Sequence, residues 1–392
     1  MTIKRSFADA SVLSIEDASL ISRGQGRYSA SFMGVVRDSA VAYDALDAEL
    51  RPHNLFALFR EHENGHLVHV VQGRAHTPHI PNVWLPMVLF VLTVLSVMFT
   101  GTLIATGEIG LSDPTQAQAI ADDIFGNLWR GLPYAISIML ILGGHELGHY
   151  IQMRRYGVAS SLPYFIPAFG ISPFGTFGAT IVLREPLKNR KILFDMGMTG
   201  PLVGFVIAIP ILLIGLATSP VLPMSGGLIE GNSAIYLLSK IVVFGRALPD
   251  GQVDVVVNQL AWAGWTGLFV TALNLVPLGQ LDGGHVLYAL VGDYARRFYY
   301  PLLAIMGFFT LFVSAAWMLL VVLIVVMGRY YAVPLDDITP LDNRRQWVGV
   351  GMLVLFSLLF VPVPLSEYGV NDGLIAGFLA VSSWIVFRRW ER

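Results

Sequence analysis

Between Val83 and Thr106 the chain carries no charged side chain. As a helix this stretch is long enough to cross about 30 Å of hydrocarbon. Lipid offers backbone N–H and C=O groups no partners, so a chain built on such runs is restricted to helices, with irregular backbone only where protein or a wet cavity covers it. Further apolar runs follow at about Gly131 to Gln152, Met196 to Thr218, Val255 to Leu275, Tyr299 to Met327, Gly349 to Val363 and Leu374 to Phe387. With 55% hydrophobic and 13% charged residues over 392 positions, composition also argues against an ordinary soluble domain. The expected fold class is an all-α polytopic membrane bundle with a membrane-associated β-strand segment in the core and a small soluble α+β N-terminal domain. The run from Tyr299 to Met327 reads as one tilted span or two short helices. Two helices are favoured, because they keep Arg329, Arg344, Arg345, Arg388, Arg389 and Arg392 on one side.

The expected divisions are a cytosolic α+β domain at 1–81, a first span and external loop at 82–130, a core at 131–292 and further spans at 293–392. In the first division Tyr28 to Val36 alternates like a strand, Ser39 to Leu50 like a helix, and Leu55 to Arg60 and His66 to Val71 like two strands around Glu63-Asn64-Gly65. No apolar core flanked by basic and small residues occurs in the first twenty positions, so no cleavable signal peptide is expected. His62, His66, His69, His76 and His79 invite a metal reading, but His66 and His69 differ by an odd number and fall on opposite faces of a strand. A net charge of −2 leaves no nucleic-acid footprint. Cysteine is absent, which excludes disulfides and thiolate ligands and leaves His, Asp and Glu to bind any metal.

Gly143-Gly144-His145-Glu146-Leu147-Gly148-His149 lies near the end of an apolar run. On a helix His145 and His149 share one face and can hold a metal between them. Glu146 lies beside that face, where a general base could reach a water on the metal. Ionisable groups are costly in a membrane, so three together are a functional hypothesis by default. Arg154-Arg155 follow at once, and Arg184, Lys188, Arg190 and Lys191 come next, which puts this end on the cytosolic side.

The stretch from Leu162 to Leu183 is apolar yet full of Pro, Gly and β-branched residues, and reads as membrane-associated strand rather than span. Its edge at Thr176, Phe177 and Gly178 is a template on which an extended peptide could add as a strand. A second motif, Asn274-Leu275-Val276-Pro277-Leu278-Gly279-Gln280-Leu281-Asp282-Gly283-Gly284-His285, places an acid at the cytosolic end of another span. Pro277 and the glycines interrupt the helix there. A catalytic zinc takes three protein ligands and keeps one position open. Asp282 is the natural third ligand, being at the same depth and on the same side; His285 competes and reads better as a structural or supporting residue.

Taken together, His145-Glu146-Leu147-Gly148-His149 and the Asn274 to Gly283 pattern resemble the paired signatures of the site-2 protease family of intramembrane zinc metalloproteases, from about Gly131 to Leu290, and Arg154-Arg155-Tyr156-Gly157 also fits. The resemblance implies a Zn2+ cofactor on His145, His149 and Asp282, Glu146 as catalytic acid and base, and Asn274 as a substrate-positioning residue. It implies transmembrane protein substrates cleaved in or near their helices, and a multi-pass protein of the lipid bilayer, in a cell (inner) membrane with its N-terminus cytosolic. The loop from Ser219 to Asp254 has no room for a PDZ domain, so the layout is similar to PDZ-less bacterial and plastid branches. Two other classes compete. A metal-ion transporter would carry polar residues across several spans, whereas here they gather at one depth; a non-catalytic relative that binds membrane helices would lack a ligand or the base, and none is missing.

Overall fold

The computed structural model describes residues 13–23, 28–63, 65–73, 83–223 and 228–367. It begins with β1 (Leu13–Arg23), β2 (Tyr28–Val36), α1 (Ser39–Leu50), β3 (Leu55–His62) and β4 (Gly65–Gln72). The four strands form one antiparallel sheet in the order β1-β2-β4-β3. Helix α1 starts where the Asp38 carboxylate accepts the Val41 N–H at 3.2 Å. It lays Ala42, Tyr43, Leu46 and Leu50 on Ala57, Phe59, Val68 and Val70 of the sheet. Strands and helix fall where the sequence pattern puts them, while β1 was not anticipated. His66 accepts the Val36 N–H and His69 pairs with Ser31, so both serve the sheet. His76 and His79 lie outside the described residues.

Next come α2 (Trp84–Gly110), α3 (Pro114–Asp122), α4 (Leu132–Arg155), β5 (Tyr164–Pro167), β6 (Thr176–Thr180) and α5 (Arg190–Ala217). Among the described residues α2 and α5 are the two helices long and apolar enough to cross a membrane. Helix α5 begins six residues before the expected span, because Asn189 caps it by accepting the Ile192 N–H at 3.0 Å. The apolar stretch after α4 is a hairpin, as its helix breakers require: β5 and β6 pair antiparallel. Helix α2 grips it, with the Ser96 hydroxyl donating to the Gly175 carbonyl at 2.6 Å and accepting the Ala168 N–H at 3.2 Å.

The stretch after α5 holds β7 (Val221–Pro223), β8 (Leu228–Glu230), α6 (Ala234–Phe244) and β9 (Val253–Val255). Then follow α7 (Gln259–Asn274), α8 (Asp282–Val291), α9 (Tyr299–Phe312), α10 (Met318–Met327), α11 (Asn343–Leu359) and β10 (Leu365–Glu367). Helix α7 is shorter than the expected run from Val255. Val255 belongs to β9, paired with β7, and Asn258 caps the helix by accepting the Leu260 and Ala261 N–H groups. The Tyr299 to Met327 run is indeed two short helices, joined by a 3-10 turn at Ala315–Trp317. The apolar run at Leu374 to Phe387 lies outside the described residues.

Helix α5 is the centre of the molecule, packed along α4 on one side and α7 on the other. On α7, Trp262, Trp265 and Phe269 recur three and four residues apart. Neighbouring rings stack at 5.2 and 5.4 Å, joined by Phe174 from the loop of the hairpin. The N-terminal sheet is tied to this core by residues 335–337. Phe59 donates its N–H to the Leu335 carbonyl at 2.8 Å, and Asp336 donates its N–H to the Lys188 carbonyl at 2.7 Å.

Candidate metal centre

His145 and His149 project from the C-terminal half of α4, four residues apart and therefore on one face. Asp282 is the first residue of α8. Between α7 and α8 the chain folds back so tightly that a Cβ on Gly283 would lie 2.0 Å from the Leu275 carbonyl oxygen. Only a residue without a side chain lets α8 start there, and that start points Asp282 at the histidines.

The three ligand atoms form a nearly equilateral triangle. Nε2 of His145 and Nε2 of His149 are 3.1 Å apart, and Asp282 Oδ2 lies 3.2 Å from the first and 3.4 Å from the second. Ligands about 2.0–2.1 Å from a tetrahedral zinc are about 3.3 Å from one another, so the triangle has the dimensions of one face of such a site. The donor set of two imidazoles and a carboxylate suits zinc, and a fourth position is left for water or substrate. Nδ1 of His149 lies 2.8 Å from the Met196 carbonyl oxygen. A carbonyl only accepts, so Nδ1 carries the proton and Nε2 presents its lone pair to a metal. No other His, Asp or Glu cluster of ligand spacing occurs among the described residues.

Glu146 is buried, with 6% of its surface exposed, and lies close enough to His145, His149 and Asp282 to feel the charge of each. Asn274 ends α7 with its amide nitrogen 3.4 Å from Nε2 of His145. The sequence-predicted residues His145, Glu146, His149, Asn274 and Asp282 are thus brought together. His285 stands apart from the triangle, buried against α5, with Nδ1 lacking a hydrogen-bond partner.

Thr176, Phe177 and Gly178 sit on β6, which lies against α4. The Thr176 hydroxyl is engaged inside the hairpin, donating to the Ile166 carbonyl at 2.8 Å and accepting the Gly178 N–H at 3.0 Å. Phe177 points outward, 51% exposed. Sequence reasoning missed what α5 contributes: the Met196 carbonyl and the glycines at 197, 200 and 204, which bring its backbone against His285, His149 and His145. Their spacing of three and four residues is the signal of a small-residue helix face and was there to be read.

Residues 133–318 match the family model described as peptidase family M50. The probable zinc metalloprotease EGY2, chloroplastic, of Arabidopsis thaliana is 32% identical over 258 residues, 63% of this chain and 44% of that protein. The protein of the same name from Oryza sativa subsp. indica is 30% identical over 65% of this chain and 45% of its own length. Probable zinc metalloprotease EGY1, chloroplastic, of Arabidopsis thaliana is 30% identical over 63% and 46%. The chain therefore spans a little under half the length of these curated relatives. No solved structure matches. The family is membrane-bound, in keeping with the apolar helices, but relatives named as chloroplastic give no support to the expected cell inner membrane. Family model, relatives and geometry agree: the segment 133–318, which contains the His-His-Asp cluster, is similar to peptidase family M50, and the relatives are named as probable zinc metalloproteases.

Proposed function

We propose that this chain is an intramembrane zinc metalloprotease that hydrolyses peptide bonds within or near transmembrane helices of its substrate proteins. The observation that carries the reading is the triangle of His145, His149 and Asp282 with the buried Glu146 beside it. These three side chains would hold zinc, which supplies Lewis acidity, polarising the scissile carbonyl and making water a better nucleophile. The Glu146 carboxylate takes a proton from the attacking water and passes it to the nitrogen of the leaving amine. The Asn274 amide donates toward the carbonyl oxygen as negative charge develops there. A substrate helix hides its carbonyls in internal hydrogen bonds and must unwind before attack. The outer edge of β6, at Thr176 to Gly178, is where an unwound segment would add as a strand.

The same reading makes the chain a multi-pass protein whose helices form a bundle in the bilayer. The Arg154-Arg155 end of α4 and the N-terminal sheet share the cytosol-like side, since basic residues are retained there. The test is zinc per chain in the purified full-length protein and its Asp282→Ala variant, alongside cleavage of a single-span substrate. One zinc in the wild type, lost with Asp282→Ala together with cleavage, is expected. A wild type that binds no zinc would sink the proposal.

A further inference from the structure

Asp195 immediately precedes the residue whose carbonyl holds His149, and two other elements converge on its carboxylate. Arg345, in the first turn of α11, donates Nε to Oδ1 at 2.8 Å and Nη2 to Oδ2 at 2.6 Å. Tyr156, the first residue beyond α4, donates its hydroxyl to Oδ2. A two-pronged guanidinium pair fixes both the position and the plane of a carboxylate, which a single contact does not. The guanidinium is itself set in place by Asp342, whose carboxylate accepts the Arg345 N–H at 3.0 Å as the cap of α11 and also pairs with Nη1. The Asp195 side chain is thus a pin joining three helices: α4, which bears His145, Glu146 and His149; α5, which bears Met196; and α11, which lies beyond the segment matched by the family model.

The pin matters because of what α5 lacks on this side. Its turn from Met196 to Gly200 meets His149 with a backbone carbonyl and a glycine, and neither has a side chain to interlock. Without an anchor close by, rotation of α5 by a few degrees would lengthen the 2.8 Å bond from His149 Nδ1 and leave the ring free to turn. The nearest other ion pair on α5, Arg190 to Asp337 at 2.8 Å, is at the first residue of the helix. It braces the helix end without reaching the turn that holds the ring.

We propose that Asp195 and Arg345 are positioning residues that keep the Met196 carbonyl on His149 Nδ1, and so keep His149 Nε2 presented to the metal. The proposal rests on the zinc reading above and adds to it a residue from outside the metal-bearing segment. The experiment is zinc affinity by chelator competition on the full-length protein in detergent, with the visible spectrum of the Co2+-loaded form and the Tm recorded in parallel. Asp195→Asn and Arg345→Gln are each expected to weaken zinc binding about 10- to 100-fold, the range for losing a hydrogen-bond partner of a metal ligand, and to alter the cobalt spectrum. The double variant should lose little more than either single one, because both break the same pair. Arg345→Lys should recover part of the affinity. Arg190→Gln is the control for mere bracing and should lower Tm while leaving affinity and spectrum unchanged. If Asp195→Asn does not fold, Tyr156→Phe removes one hydroxyl from the same carboxylate and should weaken zinc binding severalfold. Wild-type affinity and spectrum in both Asp195→Asn and Arg345→Gln would overturn the proposal, as would an equal loss in Arg190→Gln. No metal in the wild type would overturn the zinc reading and this proposal with it.

Discussion

A methyl group on Gly200 would lie 2.1 Å from Nε2 of His149, far inside van der Waals contact. The middle of α5 is therefore a seat shaped to one imidazole, and the atom a side chain at 200 would strike is the one that faces the metal. Both are set by the same close approach of α4 and α5.

Gly200→Ala tests the seat. Alanine favours a helix more than glycine does, so the helix itself gains. The ring must nevertheless move by an ångström or more, and misplacement on that scale costs about 100-fold in rate. The expected outcome is a protein with near wild-type Tm, weakened zinc binding and cleavage reduced at least that far. Unchanged zinc affinity would contradict the geometry.

Glu146→Gln separates holding the metal from moving the proton. The amide keeps the volume and polarity of the side chain but cannot accept a proton, and no ligand of the triangle is altered. Zinc content should stay at the wild-type level while cleavage falls about 100- to 10,000-fold. Metal analysis and a gel-based cleavage assay on the same preparation read both quantities.

Asn274→Ala removes the donor that ends α7, 3.4 Å from Nε2 of His145. If it supports the oxyanion, kcat should drop about 100- to 1,000-fold with zinc retained. A change confined to KM would move Asn274 from the chemistry to substrate placement.

Lys240 is fully buried, with its ammonium 3.3 Å from both Glu230 and Asp254. Removing it as Lys240→Met strands two carboxylates between α5 and α7 and should cost about 3–5 kcal/mol. Burial already raises the Glu230 carboxyl above the ordinary glutamate range. A raised carboxyl stabilises the fold while protonated, below its unfolded pKa, and that contribution is lost as pH rises through the folded value. The Lys240→Met deficit should therefore be smallest in acid and grow toward neutral pH, as denaturation curves at several pH values would show.

Much of the architecture is local and was legible along the chain. Strand alternation placed β2 and the pair β3 and β4. Helix breakers and β-branched residues between Leu162 and Leu183 announced extended chain rather than a span, and the two-helix reading of Tyr299 to Met327 followed from keeping arginines on one side. Boundaries were less accurate where a single cap decides them. Asn189 starts α5 early and Asn258 starts α7 late, because one side-chain acceptor for orphan N–H groups outweighs hydropathy.

The metal centre divides in the same way. By itself the sequence determined which residues could be ligands: His145 and His149 share a helix face by spacing alone, an absence of cysteine narrows the donors, and the broken helix before Asp282 marks an acid at a useful depth. Only the tertiary structure decided that the three atoms close to 3.1–3.4 Å and that His285 stays out of the triangle. It also decided that Met196 and Gly200 seat the ring and that Arg345 grips Asp195 from α11. Spacing along one helix is a property of the backbone repeat, whereas the approach of α5 to α4 and α8 depends on small residues and polar pairs far apart in the chain, whose meeting is settled only when the helices pack.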